Sequence, residues 1–183
     1  MRRRHKAPIV LAALLIALAA IAEIATGRSR VVVDSESREQ TRRAMLVRLD
    51  EALARHDVST AVRAWQEAYE LARRARSWRG LVEAADAHVR VAAVANASVT
   101  ASPRAREIYL AALGRARAER SVEGAVRAAE GFAALGDREV TELALRIADS
   151  LASRSGDAAA RGRVEIARGL LLPAPPGVAR TTF

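Results

Sequence analysis

The chain has no cysteine, which excludes disulfides, thiolate metal sites and cysteine nucleophiles together. Aromatic residues make up only 3% of it. A core with so few rings is built from small side chains that bring backbones close, and each of these buries little area. Stability then depends on many neighbouring elements rather than on one thick core. Histidine is scarce as well, His56 and His88 being the only two outside the N-terminal head. Asp86 and His88 stand two residues apart and diverge on a helix, which is poor geometry for a metal. There is no His-Glu-x-x-His, no Gly-x-Ser-x-Gly and no phosphate-cradling glycine loop. No nucleophile has a base beside it. These absences point away from an enzyme and give no cofactor, no metal and no small-molecule substrate.

Half of the residues are hydrophobic, at 51%, and they recur at helical spacing with no β-branched alternation beyond Val31-Val32-Val33. The expected class is therefore all-α. A net charge of +9 invites a nucleic-acid reading, but its placement weakens that. Residues 1–30 hold Arg2, Arg3, Arg4, Lys6, Arg28 and Arg30 against Glu23, which is five of the nine and leaves four for the remainder. Elsewhere acids and arginines interleave, as at Arg48/Glu51/Arg55 and Arg138/Glu142/Arg146, the pattern of a solvated helix face.

Met1 to Pro8 is a basic head, followed by the uninterrupted apolar run Ile9 to Ala22. Such flanks mark an export signal or a membrane anchor. Ala20-Ile21-Ala22 fits a small-x-small cleavage site, whereas extension through Ala25 reaches about 17 residues, the lower limit for a span. The expectation is residues 1–26 as a single-pass anchor of the inner membrane, embedded through 9–25, with the N-terminus cytoplasmic and the remainder exported. A cleaved, secreted or periplasmic product is the alternative. Arg28 and Arg30 beyond the span count slightly against this orientation.

Residues 27–40 read as a polar connector, 41–172 as about seven helices and 173–183, beginning Pro173-Ala-Pro-Pro-Gly, as a disordered tail. The key stretch is Val58 to Ala72. There Ala61, Trp65, Ala68 and Ala72 fall four, three and four residues apart on one face, after the His56-Asp57 corner. Val-x-x-Ala-Val-Arg-Ala returns at Val122 to Ala128. Ser102-Pro103 reads as a helix start. Leu135-Gly136-Asp137 and Gly156-Asp157 read as corners. One later stripe comprises Val140, Leu143, Ala144, Ile147 and Leu151.

Ala61-x3-Trp65-x2-Ala68 resembles the second helix of a tetratricopeptide repeat. Ala125-x3-Ala129-x2-Phe132 is a degenerate copy, and Ala128-x3-Phe132-x2-Leu135 is an equally good frame. Together they touch about a third of the chain. The resemblance implies stacked antiparallel hairpins in which those residues pack the repeats, following the N-terminal apolar helix read from Ile9 to Ala22. The two similar helices start 64 residues apart, where two regular units would give about 68. They are also second and fifth in order, so an irregular helical bundle stays open beside the solenoid.

The expected role is a membrane-tethered, exported scaffold that holds a protein or peptide partner. Trp65, Trp78 and Phe132 are read as core, while Tyr69, next to the stripe rather than in it, is the candidate partner-facing anchor. The alternative role is an arginine-rich soluble helical protein that binds nucleic acid.

Overall fold

In the computed structural model, residues 36–173 are described, with the side chains of 98–101 excepted. The segments expected to be the N-terminal anchor, most of the connector and the tail beyond Pro173 lie outside that range. The chain divides into two compact units, Met1–Gln40 and Thr41–Phe183. Of the first, only residues 36–40 are described, and they are helical. The helical residues 36–40 fall in the stretch read as connector, and Glu36 to Gln40 contains no proline or glycine.

The described residues form seven helices and no strand. They are α1 (36–54), α2 (Val58–Ala75), α3 (Trp78–Val94), α4 (Ser98–Ala118), α5 (Val122–Ala134), α6 (Arg138–Ser155) and α7 (Ala158–Leu171). From α2 onward each helix packs on the next, and there are less extensive second-neighbour contacts of α3 with α5, α5 with α7, and α4 with α6. Arg42 and Asp50 of α1 pair with Glu83 and Arg90 of α3. The second unit is therefore two layers, odd-numbered helices in one and even-numbered helices in the other.

One local device makes every corner. The residue before the N-cap takes the left-handed conformation at His56, Arg76, Asn96, Arg120, Gly136 and Gly156, which ends one helix and turns the chain. The next residue starts the following helix. Asp57, Ser77, Ser121, Asp137 and Asp157 each accept a backbone N–H with the side chain, whereas Ala97 offers none. Corner positions 56, 96 and 136 are spaced 40 apart, whereas 76, 120 and 156 are spaced 44 and 36 apart.

Burial follows the same spacing. The buried residues Ala61, Ala64, Trp65, Ala68 and Ala72 of α2 correspond, 80 positions on, to buried Thr141, Ala144, Leu145, Ala148 and Ala152 of α6. α2 and α6 thus share a burial pattern. The sequence recurrence had paired α2 with α5, which lies in the other layer, because any helix packing through alanines satisfies Val-x-x-Ala-Val-Arg-Ala.

Small residues set the helix spacing. A Cβ on Gly124 would stand 2.6 Å from the Trp78 ring and 2.7 Å from the Ala116 Cβ, and one on Gly131 would stand 2.3 Å from the Tyr109 ring. Neither position accepts a side chain without movement.

Two local expectations need correction. The fourth helix begins at Ser98 rather than at Ser102, and Pro103 lies inside it. The Asn96-Ala97 corner starts the helix sooner, and Pro103 falls near enough to the N-terminus to forfeit only one backbone bond. In α6, Leu143 is exposed and Leu145 is buried instead. The buried face centres on Thr141, Ala144, Leu145 and Ala148, and the Thr141 hydroxyl is satisfied inside by donating to the Asp137 carbonyl at 2.8 Å.

Candidate functional site

The rings of α2 stack because Trp65 and Tyr69 are four residues apart on one helix face. Their centroids lie 5.6 Å apart with planes 4° from parallel. Trp65 is fixed from the other layer, donating its Nε1–H to the Ala84 carbonyl of α3 at 2.9 Å, and His88 packs on its ring at 4.5 Å. Tyr69 is only half-buried. Two guanidiniums lie over its ring, Arg73 from one turn further along α2 at 5.8 Å and Arg104 from α4 at 5.1 Å. Arg104 is itself held protonated by its hydrogen bond to Glu107.

Beside this stack runs a groove of about 360 Å³ between α2 and α4, floored by α3. Tyr69, Glu70, Arg73 and Arg74 line one wall, Ala111 and Arg115 the other, and Leu81 lies beneath. Arg73 is paired with Glu70 at 3.0 Å. Arg74 and Arg115 form no ion pair among the described residues, nor does the Tyr69 hydroxyl make a hydrogen bond among them.

In the odd layer, ion pairs join α1, α3 and α5. Arg42, nearly fully buried, pairs with Glu83. Arg90 meets Asp50 at 3.0 Å and Arg79 meets Glu123 at 3.1 Å. A fourth link is a small network in which Tyr109 donates to Asp86 at 2.6 Å while Arg127 approaches the other Asp86 oxygen at 3.4 Å and pairs with Glu130. Burial, then the hydrogen bond to the Asp86 carboxylate and its charge, push the Tyr109 phenol far above its ordinary range. It therefore acts as a neutral clip between layers.

Ala61, Ala68, Ala125, Ala129 and Phe132 are fully buried and Trp65 nearly so. They serve packing in two separate places, since α2 and α5 belong to different layers. Trp78 is also buried, against Gly124. Tyr69 alone of the singled-out residues reaches the groove. Sequence reasoning missed Arg74 and Arg115, although α4 carries Arg104, Arg106, Arg115 and Arg117 against Glu107 alone. It also missed Asp86 with Tyr109, whose separation of 23 residues has no local signature. Among the described residues no three His, Cys, Asp or Glu side chains are grouped to hold a metal ion. No helix among them is long and apolar enough to cross a membrane.

No family model and no curated protein matches the chain.

Proposed function

We propose that this protein is a non-enzymatic helical-repeat scaffold, tethered to the membrane by its N-terminal apolar run, that binds a protein partner on the even-numbered helices. The observation that carries this reading is the groove at Tyr69, where an aromatic ring and unmatched arginines converge between rigid helices. Aromatic and arginine side chains in a recess are the usual anchors of protein interfaces. Alternate corners are 40 residues apart at 56, 96 and 136 but 44 and 36 apart at 76, 120 and 156, so the hairpin unit is irregular and longer than the about 34 residues of a tetratricopeptide. The apolar run Ile9 to Ala22 behind a basic head supports the tether with the helical unit on the exported side.

The test is a photo-crosslinking scan of the full chain in its native membrane, with benzoylphenylalanine placed at exposed Leu110 or Ala111 on α4 and at exposed Ala93 or Ala134 on the odd helices. The scaffold reading expects one discrete adduct from the α4 positions. Absence of any discrete adduct from all four positions contradicts it.

A further inference from the structure

The groove at Tyr69 also specifies what kind of partner it takes. Three hydrogen-bond donors with no acceptor among the described residues line it: the guanidiniums of Arg74 and Arg115 and the hydroxyl of Tyr69. The only acid in its wall, Glu70, is already neutralised by Arg73 at 3.0 Å. The wall opposite comes from the helix with the largest arginine surplus, α4. Arg73 and Arg74 of α2, and Arg115 and Arg117 of α4, fall in the last turns of their helices and complement the helix dipoles there. That role leaves the guanidinium donors of Arg74 and Arg115 unused, and a planar guanidinium matches a carboxylate.

We propose that this groove receives an acidic, extended segment of a partner protein, its carboxylates taken by Arg74, Arg115 and the Tyr69 hydroxyl. A short apolar side chain between those carboxylates rests on Leu81 and Ala111. The proposal rests on the scaffold reading and adds the chemistry of the bound segment. A nucleic acid fits less well. One face of the Tyr69 ring is stacked on Trp65, and two guanidiniums lie over the ring, so the ring is not a platform on which a base can stack. At about 360 Å³ the groove is at the small end of ligand sites. It accommodates the few short side chains of one extended segment rather than a run of phosphates.

The experiment is fluorescence anisotropy with the full chain in non-ionic detergent and three labelled probes of equal length: a peptide alternating glutamate with alanine, the same peptide with glutamine for glutamate, and single-stranded DNA. The basic head binds anions too, so the deciding quantity is the difference between variants that share it. The acidic peptide is expected to bind, the glutamine peptide not, and binding to weaken with salt. Arg115→Glu and Arg74→Glu are expected to weaken it by about tenfold or more. Tyr69→Phe, which keeps the stack and removes the hydroxyl, weakens it by less, and Arg161→Glu on α7 leaves it unchanged. Arg115→Gln and Arg74→Gln, with helicity checked by circular dichroism, repeat the result without adding a negative charge. Equal binding by the groove variants and the parent overturns the proposal, as does tighter binding of DNA that is lost in the same variants. If the peptide result is negative while discrete crosslinks from Leu110 or Ala111 persist, the scaffold stands and only its proposed ligand chemistry fails.

Discussion

The two helix layers solve the same packing problem with different side chains. In the odd layer, Gly80, Gly124 and Gly131 lie where neighbouring side chains come closest, and arginines close on acids from helix to helix. Rings occur in both layers, Trp65, Tyr69 and Tyr109 in the even one and Trp78 and Phe132 in the odd one. The backbones of α4 and α6 approach each other, whereas α2 and α4 meet through side chains such as Arg104 over Tyr69. The glycines of the odd layer make room for side chains of the even layer, Ala72, Ala116 and Tyr109. Between α2 and α4 the side chains leave a groove lined by Arg74 and Arg115. The groove is thus distinguished from the α1, α3 and α5 faces by its unpaired arginines rather than by ring content.

The largest expected effect comes from adding a methyl group to the odd layer. Gly131→Ala or Gly124→Ala drives a Cβ into the Tyr109 or the Trp78 ring, and overpacking of this kind costs about 1–3 kcal/mol, more than the helix propensity that alanine gains. Urea denaturation measures it. Gly162→Ala on α7, with nothing within 4 Å of the added carbon, is the contrast, expected to stabilise by up to about 1 kcal/mol. If all three behave alike, the glycines of the odd layer are not set by packing.

Cutting the clip between layers comes next. Tyr109→Phe leaves the ring against Phe132 and removes one hydrogen bond to a carboxylate, so a loss of about 1–2 kcal/mol is expected. Asp86 keeps Arg127 and is not stranded. A smaller gain is expected at the corners. His56, Arg76 and Arg120 hold positive φ values of 56°, 57° and 55°, and glycine relieves that strain at some cost in unfolded-chain entropy. Arg120→Gly is expected to raise the thermal midpoint, by up to about 1 kcal/mol of stability.

The smallest effect is in acid. Hydrogen bonds from Thr60, side chain and backbone, and then from Ser59, hold the Asp57 carboxyl at about 2. Asp137 is also lowered, first by its hydrogen bond from Arg106. Both are depressed groups, so their stabilisation is complete above the unfolded aspartate value of about 4. It is lost as pH falls through the folded value. Acid titration of Asp57→Asn, which keeps a capping acceptor, is expected to show a shallower loss of stability between those two values than the parent chain.

Much of the fold was legible in the sequence because its corners are local. His56-Asp57, Leu135-Gly136-Asp137 and Gly156-Asp157 announce a helix end and a cap within three residues. The start of α4 was misplaced because Pro103 is a louder signal than the Asn96-Ala97 corner, whose Ala97 has no capping side chain. Leu143 stood in for Leu145 because a helix face read from apolar residues alone omits Thr141, whose buried hydroxyl is satisfied by the Asp137 carbonyl. The groove was half legible: Tyr69 stood out as a ring beside the stripe. Which arginines remain unmatched depends on ion pairs between helices, such as Arg90 with Asp50 and Arg79 with Glu123, and spacing along the chain does not encode those partners.

The most direct test of an ion-paired odd layer and a binding even layer is competition. Full chain carrying benzoylphenylalanine at Ala111 is irradiated in native membranes with and without the glutamate-alanine peptide, beside the same chain labelled at Ala134. The account predicts a discrete adduct at Ala111 that the acidic peptide suppresses and the glutamine peptide does not, with none at Ala134. An adduct confined to Ala134, or one at Ala111 that ignores the acidic peptide, contradicts it.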